Sequence, residues 1–174
     1  MPYKTIIDIL VDELAEIRIL ELQFTNLLPQ MILATQDAGL QDAFTVYLDQ
    51  AAIFFEKFDQ TADILRLPSN LDSKCVMRVS LGEKLEPLLK ECSHHAVDAA
   101  LIGMALKVES YLNAAYLNAC VHSRMLGLEE LGDLLKSRLK SNFAPTTATF
   151  DKVALFAPEA SGEEEALMKA GMTG

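Results

Sequence analysis

The 174-residue chain is 51% hydrophobic and 23% charged, with 8 Gly and 6 Pro, a balance that excludes collagen, low-complexity disorder and a multi-domain chain. The 15 Lys and Arg against 25 Asp and Glu leave a net charge of -10 with no basic cluster, which argues against nucleic acid and anionic membrane surfaces as partners. The longest apolar stretches, such as Ala99 to Leu106, fall far short of the roughly 18 residues of a membrane span. The three cysteines, Cys75, Cys92 and Cys120, are odd in number, widely spaced and without a C-x-x-C pair. With no secretory leader ahead of Asp8, a cytoplasmic location is expected.

The first periodic segment runs from Ile6 to Ala34, where Leu10, Leu14, Ile17, Glu21, Phe24 and Leu28 recur at steps of four and three. This spacing predicts a long amphipathic helix with one carboxylate on its buried stripe. Pro29 is expected to bend or shorten it, because proline removes a backbone donor and clashes with the preceding turn. The polar link Gln36-Asp37-Ala38-Gly39 is short enough to return the chain antiparallel. Leu40, Phe44, Tyr47, Ala51, Phe54 and Phe58 continue the rhythm in a second, unusually aromatic helix. A connection over about residues 67–96 follows, opening on Leu67-Pro68-Ser69 and holding a short amphipathic piece around Val79, Leu81, Leu85 and Leu88; its length allows it to cross a bundle.

Asp98 then precedes a third helix whose stripe reads Ile102, Ala105, Glu109, Leu112, Tyr116 and Ala119, again with one carboxylate. Leu126-Gly127-Leu128 turns into a fourth segment with Leu131, Leu135, Leu139 and Asn142 in register, which Pro145 breaks or kinks. The bundle is expected to occupy residues 1–156 and an acidic tail residues 157–174, where Ser161-Gly162-Glu163-Glu164 offers a capping box for at most a few turns. No strand-period alternation and no solenoid repeat interrupts this pattern. The fold class is therefore all-α: an up-down helix pair, a crossover, and a second up-down pair.

A four-helix bundle with one long crossover is the ferritin-like layout, in which a di-metal site takes one Glu from each of two helices and a Glu-x-x-His from each of the other two. Carboxylates are needed there to supply oxygen ligands and to offset the charge of two divalent ions in a dry core. Glu21 and Glu109 are the candidates, since an inward carboxylate is expensive unless something meets it, whether a metal, a bundle rim, or a neighbouring hydroxyl or amide. The Glu-x-x-His motif Glu91-Cys92-Ser93-His94 falls in the crossover and is not expected to face the shared core. His95 and His122 lack a carboxylate at ligand spacing and read as surface or cap residues. None of the cysteines has a local base that would make it a nucleophile, and no G-x-S-x-G, Walker loop or G-x-G-x-x-G occurs. A small-molecule site lined by Tyr47, Phe54, Tyr111 and Tyr116 rests on aromatic content alone, which core packing also explains.

Several strings are more specific: Asp12-Glu13-Leu14 and Leu27-Leu28-Pro29-Gln30-Met31 in the first helix, Ala43-Phe44 in the second, and Lys74-Cys75 in the crossover. The third helix adds Asp98-Ala99-Ala100-Leu101-Ile102, Lys107-Val108-Glu109, Tyr111 and Ala114-Ala115-Tyr116. Through them the chain resembles the YciE/YciF family of bacterial ferritin-like proteins from about Tyr3 to Val153. The resemblance implies a ferritin-like bundle, usually dimeric, associated with stress responses and suspected of binding a pair of metal ions, with no settled reaction. It also implies metal-site positions. Glu21 and Glu109 keep the family's glutamates, while the acid three residues after the second is Leu112 here. The family's second-helix His-Leu-Glu-Glu-Thr is Tyr47-Leu48-Asp49-Gln50-Ala51, which puts Gln50 at a ligand position. The fourth-helix acids fall on Asn142 and Thr146, with Pro145 between them.

The expected function is a non-catalytic, oligomerising or partner-binding module whose di-metal site has decayed, with no cofactor. A homodimer is expected because relatives pair through helix faces and the aromatic second helix carries more apolar surface than one stripe requires. The alternative is a working iron or manganese protein or oxidase that uses Glu21 and Glu109 with a non-standard shell drawn from Asp49 or Glu56. Two inward carboxylates that approach each other raise at least one pKa, so Gln50, Asn142, Tyr47 or Tyr116 is expected within hydrogen-bond reach of one of them. With no counter-charge foreseen, Glu21→Gln is expected to leave stability unchanged or raise it.

Overall fold

The computed structural model describes residues 4–64, 85–90 and 94–139. They form α1 (Ile6–Ala34), α2 (Ala38–Ile64), α3 (85–90), α4 (His94–Met125) and α5 (129–139), and no strand occurs among them. A capping box opens α1: the Asp8 N–H donates to Thr5 Oγ1, and the Thr5 N–H donates to the Asp8 carboxylate at 2.9 Å. First-turn donors that a helix leaves unmatched are satisfied in this way. The helix then runs through Pro29 to Ala34 and is not shortened. Pro29 lies on the exposed side, where water can serve the carbonyl that loses its donor.

Cross-helix contacts set the topology. Glu13 meets Asn118, Glu21 meets Tyr116 and Thr35 meets Asp98, so α1 and α4 run antiparallel. Arg18 meets Asp59 while Thr35 accepts from Gln41, so α1 and α2 are antiparallel too. Hence α2 and α4 run in the same direction, and Ile64 and His94 lie towards opposite ends of the bundle. A hairpin between them is excluded, and the connection crosses the bundle as the ferritin-like layout requires. Most of that connection, Cys75, Glu91 to Ser93 of the Glu-x-x-His motif, Asn142, Pro145 and the acidic tail lie outside the described residues, while His94, the last residue of that motif, opens α4.

Asp98 does not open the third helix, which already begins at His94. Its buried carboxylate instead accepts from Thr35 Oγ1 and from the backbone N–H groups of Gln36 and Asp37, at 3.0 to 3.3 Å for the backbone donors. It thereby ties α4 to the three-residue link between α1 and α2. At the other end of α4, Leu128 N–H reaches Ser123 O at 2.9 Å and Gly127 N–H reaches Arg124 O, with Gly127 at φ 72°. This is a Schellman closure, whose left-handed residue favours glycine.

The core is built from rows of residues seven apart. Leu14 and Leu28 flank Glu21, Leu40 and Phe54 flank Tyr47, and Ile102 and Tyr116 flank Glu109; all of these are buried. Each buried Leu or Phe stabilises by about 1.5–3 kcal/mol relative to exposure. The α2 aromatics Phe44, Tyr47, Phe54 and Phe58 are all buried within the chain's own core. The large apolar side chains that α2 leaves exposed are Val46 and Ile53.

Candidate functional site

The rows meet at mid-bundle around Glu21. An α-helix uses its backbone donors internally, so a carboxylate there can be met only by side chains from the facing helices. Four donors converge. Arg138 from α5 forks onto it, with Nε to Oε1 and Nη2 to Oε2 both at 3.0 Å. Tyr116 Oη from α4 donates to Oε1 at 2.6 Å, and Tyr47 Oη from α2 donates to Oε2 at 3.2 Å. Glu21 is 0% and Arg138 2% exposed.

The aromatic rings complete the shell. The Arg138 guanidinium carbon lies 4.7 Å from the centre of the Tyr47 ring and 5.5 Å from that of Phe54, so π-faces as well as the carboxylate hold the buried cation. Phe24 meets Tyr47 edge-on at 5.0 Å, and Phe54 meets Tyr116 edge-on at 5.6 Å, which fixes the rings that aim the two hydroxyls. Burial, followed by the Glu21 charge, pushes both tyrosines well above their ordinary pKa. They are therefore neutral donors across the physiological range. Burial alone would lower the pKa of Arg138, but the Glu21 carboxylate and its hydrogen bonds outweigh this and hold it above its ordinary value.

Glu109 is the second inward carboxylate, 5% exposed. Burial, helped by the like charge of Glu21 and opposed by Arg138, raises its pKa to about 7. The two inward glutamates therefore differ: one carries a fixed counter-charge, and the other gains or loses a proton near neutrality.

The structure brings Glu21, Glu109, Tyr47 and Tyr116 together as expected, and two tyrosine hydroxyls do reach a glutamate. Gln50 is half-buried, with its Oε1 buried and no hydrogen-bond partner for it among the described residues. Asn142 lies outside them. Asp49 and Glu56, considered as substitute ligands, are exposed on α2. Tyr111 leaves the aromatic cluster and donates to Glu16. Burial pushes the Cys120 thiol up, away from nucleophilic character.

Arg138 is the residue that sequence reasoning missed. Its signal is positional: it follows Leu131 by seven residues and Leu135 by three, which puts it on the buried face. Hydrophobicity continues the stripe through Leu139, which is only partly buried, because an arginine is ordinarily found in solvent. The expectation for Glu21→Gln loses its premise for the same reason, and the direction expected for that variant reverses. Its premise was an uncompensated charge, and Arg138 compensates it.

The arrangement does not fit a pair of divalent ions. Four hydrogen bonds use the whole acceptor capacity of the Glu21 carboxylate, so a metal would have to displace a guanidinium of the same charge sign. Gln50 adds no charge, and among the described residues no three His, Cys, Asp or Glu side chains are grouped to hold a metal ion. Nor, among those residues, is any helix long and apolar enough to cross a membrane.

Comparison with known proteins places the chain. Residues 5–154 match the family model described as a domain of unknown function, DUF892. Protein YciF of Escherichia coli (strain K12) is 32% identical over 148 residues, covering 83% of this chain and 87% of that protein. The crystal structure of the E. coli stress protein YciF superposes with a TM-score of 0.77 at 29% identity, covering 89% of this chain and 98% of that one. YcfI from Rhodopseudomonas palustris, to which a structural role has been ascribed, superposes with a TM-score of 0.74 at 25% identity over 85% and 94% of the two chains. With the helical ferritin-like fold shared and the family model matched over most of its length, this chain belongs to the DUF892 family, that of the YciF proteins.

Proposed function

We propose that this chain is a non-catalytic YciF-type protein, a structural or partner-binding module in which an internal guanidinium does the charge compensation that metal ions would do in a di-metal bundle. The observation that carries this reading is the Arg138 fork on Glu21, closed by two phenol hydroxyls. A cation covalently attached to α5 neutralises the buried carboxylate, but it offers no open coordination position and no exchangeable ligand for chemistry. What it supplies is a cross-link between α1 and α5 that sets which helix faces meet.

The reading extends to a cytoplasmic homodimer with a stress-linked role. The stress link is taken from the description of E. coli YciF. Dimerisation is supported by Leu117, Val121 and Met125, which are at least half-exposed at four-residue steps along α4 and so present one apolar stripe that a second copy could cover. The test is metal analysis and light scattering on protein purified without chelator. Iron and manganese well below one per chain, with a dimer at tens of micromolar, are expected. Stoichiometric metal that disappears in Glu21→Gln would establish the di-metal reading instead.

A further inference from the structure

A second row of residues at helical spacing runs down the outer side of α4, away from the core row of Ile102 to Ala119. Towards the N-terminus it holds Gly103, Ser110 and Ala114, and towards the C-terminus Leu117, Val121 and Met125, with Lys107 between the first two. The steps are of three and four residues throughout, as in a coiled-coil seam. Leu117, Val121 and Met125 are 56%, 50% and 62% exposed. The small half is hollow: a Cβ on Gly103 would meet no atom within 4 Å, and the Ser110 hydroxyl is spent on the Leu106 carbonyl at 2.7 Å.

Charge narrows what can cover this row. A chain with a net charge of -10 repels its own copies, and least where acids are absent. The outside of α4 is such a place, because the two acids of this helix, Asp98 and Glu109, are both buried. On α2, by contrast, Asp42, Asp49, Glu56 and Asp63 are exposed at seven-residue intervals. The one charge in the α4 row is Lys107, which makes no ion pair among the described residues; neither does Glu13, the α1 acid that borders α4 and accepts from Asn118 at 3.4 Å. A small half and a large half laid end to end on one helix complement themselves when two copies run antiparallel, and a two-fold axis closes that contact on itself.

We propose that α4 packs antiparallel on α4 of a second copy, about a two-fold axis beside Ala114. The inference rests on the dimer reading above and names the face and register that carry it. Met125 fills the hollow over the partner's Gly103, Val121 lies on the aliphatic stem of the partner's Lys107, and Leu117 meets the partner's Ser110. The same symmetry brings the Lys107 ammonium to the partner's Glu13, so that each ion pair is made twice. The row spans about 33 Å at 1.5 Å per residue and is one helix wide, which is narrow for an interface, so the Kd is micromolar.

The test is light scattering on the full chain and its variants at tens of micromolar, with far-UV circular dichroism to show that each is folded. The parent is expected as a dimer, Leu117→Glu and Val121→Glu as monomers, and Leu33→Glu, at a position 85% exposed on α1, as a dimer. Lys107→Glu and Glu13→Lys should each raise the Kd about tenfold, and the two together should return it to within about threefold of the parent. In Ala114→Cys a short bis-maleimide should join two copies beyond what the parent's own cysteines give, and in Leu33→Cys it should not. Should either glutamate variant fail to fold, the Ala114→Cys cross-link decides the interface. A monomeric parent would remove the dimer reading itself. A dimer that survives Leu117→Glu and Val121→Glu, or that Leu33→Glu dissociates, would leave that reading standing and overturn the α4 interface. Absence of the Ala114→Cys cross-link, or of rescue in the double charge variant, would overturn its register.

Discussion

Glu21 and Asp98 are both buried carboxylates, yet they are solvated by different means. Asp98 sits at a bundle end beside the α1–α2 link, where backbone N–H groups are not consumed by a helix ladder, and those of Gln36 and Asp37 point at it together with the Thr35 hydroxyl. Glu21 sits at mid-bundle, where the facing helices have no backbone donors to spare, and it is met by side chains alone, one of them a full cation. The comparison teaches that a helix end can bury a negative charge with dipoles, whereas a helix middle calls for a counter-ion. Asp98 fastens a loop and needs no partner charge. Glu21 does need one, and the identity of that partner, guanidinium or metal, separates a structural protein from a metalloprotein.

The largest effect expected follows from breaking the mid-bundle pair. Arg138→Met and Glu21→Gln should each destabilise by about 3–5 kcal/mol, because each strands a buried charge. The paired change Glu21→Leu with Arg138→Met should return to within about 1 kcal/mol of the parent. Urea unfolding of the four proteins measures this, and single variants within 1 kcal/mol of the parent would remove the distinction drawn from Asp98.

Glu109→Gln sharpens the comparison by removing the inward carboxylate that titrates near neutrality. With its pKa raised from 4.5 to about 7 in the folded chain, Glu109 holds a proton between those values that the unfolded chain has released. Stability is therefore lost as pH rises through that window. The glutamine variant should be more stable than the parent at pH 8, by on the order of 3 kcal/mol, and equal to it near pH 4. Glu13, whose carboxyl burial also raises, contributes equally to both proteins and cancels in the difference.

Smaller losses are expected at the ends of the hydrogen bonds. Asp98→Asn should cost about 2 kcal/mol, since an amide turns an N–H₂ group towards the link's own N–H groups. No second-site change at a charged residue should rescue it. Tyr116→Phe should cost about 2 kcal/mol and Tyr47→Phe about 1 kcal/mol, in the order of their 2.6 and 3.2 Å bonds to Glu21. A reversed order in thermal melts would show that the rings, and not the hydroxyls, set the contribution.

Much of this was legible in advance, for reasons visible in particular residues. Leu10 to Leu28 and Leu40 to Phe58 repeat at helical spacing, so the two helices and their buried faces follow from periodicity alone. Glu21 and Glu109 stood out because a carboxylate in an apolar row demands an explanation. Pro29 does not shorten α1, because it faces outward, where water can serve the carbonyl that loses its donor. Arg138 was passed over because residues 138 and 139 both adjoin the face marked by Leu131 and Leu135, and hydrophobicity favours Leu139. Asp98 resembled the start of a helix, since an N-cap and a cross-chain clamp use the same residue type for the same acceptor chemistry.

The sequence by itself determined the helices, their inward rows and the presence of two carboxylates on those rows, because helical periodicity is a local property that a single segment expresses without its neighbours. Only the tertiary structure decided what meets those carboxylates. Arg138 lies 117 residues from Glu21 along the chain, and Tyr116 lies 95. Their convergence depends on the relative direction and axial level of four packed helices, and a shift of one turn would carry the guanidinium about 5.4 Å away from its fork. The charge state of the centre is thus a consequence of packing, and with it whether a metal or an arginine compensates Glu21.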